Sequence, residues 1–349
     1  MKIKDRVINE SKPPFVIAEI SANHNNSLKR ALRLIDEAKE AGADAVKLQT
    51  YKPSTIAVNS DKKEFVIKDR KSLWYGKSLY ELYKIGSMPW EWHKELFKRA
   101  KKNNIICFSS PFDESAVDFL KKLKSPAYKV ASFENNHVPL MKKIIAVKKP
   151  TIVSLGITKL NNIKNIVNLF KKSNHKNFAL LKCTSSYPAP VEESNLKTIK
   201  DLKKRFKVQI GISDHTQGIG VAIASISYGA SIIEKHFTLN KKSGGLDDSF
   251  SIDPKELKDL VVESKRAWSS QGKVYYDLSK SEKKSNFFKR SIFIISKMKK
   301  GERFTDKNLK ILRPNLGLDP KYYYKVLGKK CLLNLSKNTP LKSTYVSKK

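Results

Sequence analysis

Two histidines, His215 and His236, each close a short apolar run, Gly211-Ile-Ser-Asp-His215 and Ser231-Ile-Ile-Glu-Lys-His236. Only six histidines occur in the 349 residues. Two of them at equivalent places in successive units point to one shared ligand, and imidazole suits a divalent transition metal. No HxxxH or HExxH spacing accompanies them, so spacing alone leaves ordinary hydrogen-bonded histidines as open as a metal pair. Lysines occupy similar places. In Val46-Lys47-Leu48-Gln49, strand alternation aims Lys47 and Gln49 to one side, and Tyr128-Lys129-Val-Ala-Ser132-Phe-Glu134 carries a second inward lysine. A lysine facing an interior needs an anionic partner, which a substrate phosphate or carboxylate would supply. Ser109, Ser132, Ser154, Ser185 and Ser213 add hydroxyl donors, and such a lining suits a small phosphorylated anion. Any one of these serines could equally cap the helix that follows it. Glu19, in Val16-Ile-Ala-Glu19-Ile-Ser21-Ala-Asn23-His24, either orients a hydroxylated substrate or pairs with a lysine. Asp247, in Gly244-Gly-Leu-Asp247-Asp248-Ser-Phe, either binds sugar hydroxyls or belongs to a solvated turn.

These residues need a scaffold that brings strand ends together. Apolar runs bounded by turn residues predict strands over 15–20, 45–49, 105–109, 127–131, 151–154, 179–183, 208–212 and 231–235. Helical patterns lie between them, at 28–40, 90–103, 115–122, 140–148, 161–171, 196–205 and 218–228, and a further helix starts at Pro254. Alternation of this kind predicts an α/β fold, a (β/α)8 TIM barrel over residues 1–280, with its chemistry at the carboxyl ends of the strands. The stretch from Tyr51 to Pro89, carrying Trp74, Tyr75, Tyr80 and Tyr83, reads as a long loop with one short helix over that face. Residues 269–286 read as a linker. Short runs separated by Lys-Gly and Pro-Asn turns then predict a small strand-rich domain, placed with its preceding linker at 281–349.

A net charge of +37 ordinarily raises nucleic-acid binding. Here lysine pairs are spread along the chain on helical outer faces, and no single basic stripe is interleaved with aromatics. The expectation is attraction of small anionic substrates without a nucleic-acid partner. A basic RNA-binding or scaffold protein on a degenerate barrel is the competing reading of another class. Cys107, Cys183 and Cys331 show no CxxC spacing, and no secretory signal or membrane-length apolar run is evident. A cytoplasmic protein with reduced thiols and no membrane partner is therefore expected.

The motifs Ile17-Ala-Glu-Ile-Ser-Ala-Asn-His24, Gly42-Ala-Asp-Ala-Val-Lys-Leu-Gln49, Ser109-Ser-Pro-Phe112, Tyr128-Lys-Val-Ala-Ser132, Gly211-Ile-Ser-Asp-His215 and Ile233-Glu-Lys-His-Phe237 occur in order. Together they resemble the sialic acid synthase family, phosphoenolpyruvate-using enzymes that make nine-carbon acidic sugars. The region from Arg290 to Lys329, with Lys300-Gly-Glu and Arg313-Pro, resembles the antifreeze-like (SAF) domain that follows the barrel in that family. Ser72-Leu-Trp-Tyr-Gly76, Pro89-Trp-Glu-Trp-His93 and Cys183-Thr-Ser-Ser-Tyr-Pro188 look like the branch that makes pseudaminic acid. The branches that make N-acetylneuraminate or legionaminic acid are the alternatives.

The resemblance implies that Lys47, Ser109, Lys129, Ser132, Ser154, Ser185 and Ser213 bind phosphoenolpyruvate. It implies that His215 and His236 hold a divalent ion, Mn²⁺ or Mg²⁺ with Co²⁺ as a third option. Glu19, Gln49, Tyr187, Asp247 and Arg313 would hold an amino-sugar aldose. Glu134 is the candidate for moving protons, so that Glu134, Lys129, His215 and His236 form the expected catalytic set. The resemblance also implies a domain-swapped homodimer in which Arg313 reaches the partner's sugar site.

Overall fold

Eight parallel strands close into a barrel: β1 (Phe15–Glu19), β2 (Ala45–Thr50), β3 (Ile106–Pro111), β4 (Tyr128–Val130), β5 (Thr151–Ser154), β6 (Phe178–Cys183), β7 (Gln209–Asp214) and β8 (Ile232–His236). β8 pairs with β1 through all five of its residues, which completes the ring. This computed structural model describes residues 1–60, 62–70 and 72–348. The strands are nearly continuous apolar runs because both faces are buried. Phe15, Ile17, Ala45, Phe108, Ala127, Ile152, Ala179, Leu181 and Ile232 fill the lower interior, and Ile3 and Ile8 of an N-terminal hairpin join them. That packing blocks the lower end of the barrel and leaves the carboxyl ends of the strands for polar side chains.

Helices α1 (Leu28–Glu40), α2 (Trp92–Lys102), α3 (Glu114–Lys122), α4 (Val138–Ala146), α5 (Leu160–Lys172), α6 (Lys197–Phe206), α7 (Gly220–Ile226) and α8 (Pro254–Ser270) follow the strands in order. The first shows why they form. Ser27 caps it by accepting from the Arg30 amide at 3.3 Å, and Ala31, Leu34, Ile35 and Ala38 recur at helical spacing on the buried face. Its polar face stays outside, as do the lysine-rich last turns of α2, α3 and α6, where cations meet the negative end of the helix dipole.

The insertion between β2 and α2 is more structured than expected. It holds helices Pro53–Ile56 and Leu79–Gly86, and the second is capped by reciprocal bonds between Ser78 and Glu81. Buried His24 fixes this insertion to the barrel through a 3.3 Å contact from Nε2 to the Gly86 carbonyl.

The chain divides into two compact units, Met1–Gly272 and Lys273–Lys349. The division falls eight residues before the boundary expected at 280, because α8 ends at Ser270. The expected linker is partly helical over Lys280–Ser285, capped by Ser279 and Glu282. In the second unit, strands Ser291–Ile294, Leu309–Leu312 and Thr339–Pro340 form an antiparallel sheet. Ile292, Ile294, Met298, Phe304, Leu309, Val326, Cys331, Leu335 and Leu341 make its core. Among the described residues no helix is long and apolar enough to cross a membrane, and all three cysteines are free and buried.

Candidate functional site at the barrel mouth

Strand alternation puts Glu19, Lys47, Lys129 and Glu234 on the inner face, one layer above the apolar plug, and all are at most 4% exposed. They form an alternating charge quartet. Lys47 is ion-paired with Glu19 and lies 3.8 Å from Glu234 Oε2, while Lys129 donates to Glu234 Oε1 at 2.5 Å. Ser213 donates to that same oxygen at 3.0 Å, and Lys47 donates to Ser110 Oγ at 3.2 Å. Burial alone would raise the Glu234 carboxyl, but Lys129 and Lys47 override it and hold it down at about 2. Lys47 stays protonated because its two carboxylate neighbours outweigh its own burial. Burial and the nearby Lys47 charge lower Lys129, which Glu234 only partly restores.

Ser109 is not part of this lining. β3 pairs Phe108 with Lys47 and Ser110 with Gln49, so Ser110 points inward and Ser109 outward. The Ser109 hydroxyl lies 2.7 Å from that of Thr50, which is in turn 2.8 Å from His93 Nε2, behind the strands. Ser132 and Ser185 come together at Gly156, and Ser213 reaches Glu234. The Gly156 amide donates to Ser132 Oγ at 3.2 Å, and a Cβ at position 156 would lie 1.9 Å from Ser185 Oγ and 2.7 Å from Ser132 Oγ. Only glycine lets the backbone come so near both hydroxyls. Ser154 Oγ and Glu134 Oε2 are buried without a hydrogen-bond partner among the described residues. Burial pushes Glu134 up to about 7 although Lys47 and Lys129 pull the other way, so near neutrality it exists in both protonation states.

His215 and His236 face each other with ring centroids 5.3 Å apart. His215 Nδ1 lies 2.9 Å from the Thr184 carbonyl oxygen, a contact that puts the proton on Nδ1 and leaves Nε2 as a lone-pair donor. Burial, then the neighbouring His215 and lysines, push His236 well below its ordinary value, which keeps it neutral. Its Nδ1 is buried without a hydrogen bond among the described residues and lies 3.8 Å from Asp247 Oδ2. Burial disfavours charge on His215, but the neighbouring Cys183 and the Thr184 carbonyl outweigh it and raise its value, so an ion bound between the two imidazoles would displace a proton from this ring. Among the described residues no group of three or more His, Cys, Asp or Glu is placed to hold a metal, so this pair would leave positions for water and substrate oxygen.

Further up, Gln49 Nε2 donates to Glu19 Oε1 at 3.1 Å and to Ser21 Oγ at 2.9 Å, and Ser21 donates to Asp247 Oδ2 at 2.5 Å. Glu19, Gln49 and Asp247 are thereby one connected polar arc. Tyr187 lies over the histidines, its ring 4.4 Å from that of His215 and 6.0 Å from that of His236. Trp74 of the insertion comes within 5.9 Å of Tyr187 and donates its indole N–H to the Leu246 carbonyl at 3.4 Å. Arg313 belongs to the second unit, where it is exposed and directly follows strand Leu309–Leu312.

The site also contains residues that the motifs did not single out. Glu234 is two residues before His236 and shares its face by the same alternation that places Lys47 with Gln49, so strand parity would have found it. Ser110 needed the register between β2 and β3, since two adjacent serines give no parity of their own. Cys183 Sγ lies 3.8 Å from His215 Nδ1 and 3.7 Å from Ser185 Oγ, and nothing in its spacing separated it from a core thiol.

The NeuB family model matches residues 34–276, and the SAF domain model matches residues 289–344. The chain belongs to the NeuB family. A NeuB-family fold and a SAF domain thus account for the barrel and for the second unit respectively. The chain is 43% identical over 334 residues to the pseudaminic acid synthase of Campylobacter jejuni, an alignment covering 96% of this chain and 97% of that one. It is 38% identical over 322 residues to the N,N'-diacetyllegionaminic acid synthase of the same organism, covering 91% and 96%. Among solved structures, the N-acetylneuraminic acid synthetase of Leptospira borgpetersenii, crystallised with citrate, superposes with a TM-score of 0.73 at 32% identity, covering 82% of this chain and 94% of that chain.

Proposed function

We propose that this NeuB-family chain condenses phosphoenolpyruvate with 2,4-diacetamido-2,4,6-trideoxy-altrose to a nine-carbon nonulosonic acid, releasing inorganic phosphate. The observation that carries the chemistry is the pair of buried lysines, Lys47 and Lys129, lying beneath two facing histidines at one barrel mouth. The first part suits a bound anion that would share Lys47 and Lys129 with Glu19 and Glu234, and the second suits an ion that polarises a carbonyl. The choice of acceptor rests on the closer likeness to a pseudaminic acid synthase than to a legionaminic acid synthase.

In this reading Lys47, Lys129, Ser110, Ser132, Ser154, Ser185 and Ser213 hold the phosphate and carboxylate of phosphoenolpyruvate. Glu234 holds the lysines apart and charged. Glu19, Gln49, Tyr187 and Asp247 hold the open-chain sugar, and Arg313 joins them from the second copy of a domain-swapped dimer. His215 and His236 would hold a divalent ion, Mn²⁺ or Mg²⁺, which when bound draws electrons from the sugar aldehyde oxygen. Carbon 3 of phosphoenolpyruvate forms a bond to the aldehyde carbon as the carbonyl π pair moves onto the aldehyde oxygen, and the loss of the double-bond electrons leaves a cation at carbon 2. Water adds there and gives up a proton, which Glu134 accepts and returns to the new alkoxide oxygen. The tetrahedral product then breaks its carbon–oxygen bond to phosphate, its hydroxyl proton leaves with the phosphate, and it becomes the 2-keto acid.

Supplying the purified protein with the diacetamido trideoxy sugar, with N-acetylmannosamine and with the legionaminic acid precursor tests the acceptor. Phosphate release is expected to be fastest with the first. Release with N-acetylmannosamine alone would overturn the assignment. The proton role has its own test. With Glu134 at about 7, kcat/KM rises as pH is raised through that value, because the base form is needed. Glu134→Gln removes this limb and lowers kcat by roughly 10²–10⁴, so a variant that kept the native pH profile would exclude the carboxylate as the base.

A further inference from the structure

Asp214 and Lys235 lie directly before the two histidines, on the opposite face of their strands. They form the last rung between β7 and β8. Lys235 Nζ donates to Asp214 Oδ2 at 2.8 Å and to the Thr216 carbonyl at 2.6 Å. Asp214 Oδ1 accepts from the Thr216 amide at 2.9 Å and from its hydroxyl at 2.8 Å. Asp214, Thr216 and Lys235 are 3%, 1% and 1% exposed, so the charges have been removed from water behind the sheet, where no substrate reaches them. Burying an ion pair is a poor route to stability, because desolvation offsets most of the attraction, whereas its fixed geometry can specify a position.

The position specified here is that of the histidines. Residues 214 and 216, on either side of His215, are both tied to residue 235, the neighbour of His236. The His215 and His236 carbonyls accept from the Ala189 and Ile252 amides, which hold each end separately, whereas this closed set of bonds fixes the two ends against each other. We propose that Asp214, Thr216 and Lys235 form a positioning latch that sets the separation of His215 and His236, and thereby the affinity of the pair for a divalent cation. The inference rests on the metal reading above and adds the residues that tune it.

Mn²⁺ binding, measured by calorimetry on the purified full chain, tests the latch without substrate turnover. Lys235→Met alone strands a buried carboxylate, so the decisive variant is the double substitution Asp214→Leu with Lys235→Met, an apolar pair that such sites tolerate. Thr216→Val, which deletes one hydroxyl, is the second variant. Both are expected to melt close to the native protein and to bind Mn²⁺ more weakly, about tenfold or more for the double variant. Native-like Mn²⁺ affinity in the folded double variant overturns the latch. If the double variant does not fold, Thr216→Val decides alone, by weakened or unchanged binding. Failure of the native chain itself to bind Mn²⁺ is a separate result, which overturns the metal reading and the latch with it.

Discussion

Glu234→Gln is expected to raise the KM for phosphoenolpyruvate and to lower kcat/KM by at least about a hundredfold. The carboxylate accepts from Lys129 and Ser213 through one oxygen and faces Lys47 with the other. Without its charge, two ammonium groups stand in one barrel with Glu19 and the partly ionised Glu134 to balance them. Lys129, already lowered by burial and by Lys47, is lowered further, which weakens its hold on the anion proposed to bind there. Breaking a buried pair from one side also costs stability, about 3–5 kcal/mol in comparable cases. The sign of the pH effect follows from the direction of the shift. Glu234 sits at about 2, below its ordinary value, so its contribution is complete above the ordinary carboxylate range and is lost as pH falls toward 2. Thermal melts across pH 2 to 7, run beside steady-state kinetics, check both halves. A variant with native melting and a native KM for phosphoenolpyruvate would remove the quartet from the site.

His236→Ala and Arg313→Ala are each expected to be inactive alone and active when mixed. The first deletes one of the two imidazoles proposed to hold the ion, and the fold should survive because His236 Nδ1 makes no hydrogen bond among the described residues. The second deletes the guanidinium that a swapped partner would supply. After the inactive variants are unfolded and refolded together, a mixed dimer pairs the intact barrel of one chain with the intact Arg313 of the other. Random pairing with one competent site per mixed dimer gives about a quarter of native activity. No recovery, while each variant remains dimeric, would end the swapped arrangement. Undiminished turnover by His236→Ala would end the metal role.

Much of this site could be read from the chain because strand ends leave a signature at two scales. Alternation within a strand placed Lys47 with Gln49, and repetition of strand and helix predicted the barrel that gathers them. Ser109 shows where that reading stops. Its face depends on pairing with β2, where it lies opposite Leu48, a relation that neither strand reveals alone. The insertion was legible as a cover through its aromatic residues, but its helix Leu79–Gly86 depends on the Ser78–Glu81 cap and on the Gly86 contact with His24. The second unit was legible as strand-rich. Its boundary was not, because polar Ser-Lys sequence reads as linker whether or not Ser279 and Glu282 cap a helix in it.

The mouth of the barrel is built from two kinds of chain. Its charged floor rises from strands, where every inward residue is fixed by its neighbours across the ladder. Its aromatic cover comes from Trp74 and Tyr187 on connecting segments, with Trp74 held by the Leu246 carbonyl. Heritable change acts on these unequally. A substitution in the cover can redirect the choice of sugar at little cost to the scaffold, whereas one in the floor disturbs stability and reaction together. Diversification of acceptors within such a lineage can therefore proceed from the loops while the condensation chemistry is inherited intact.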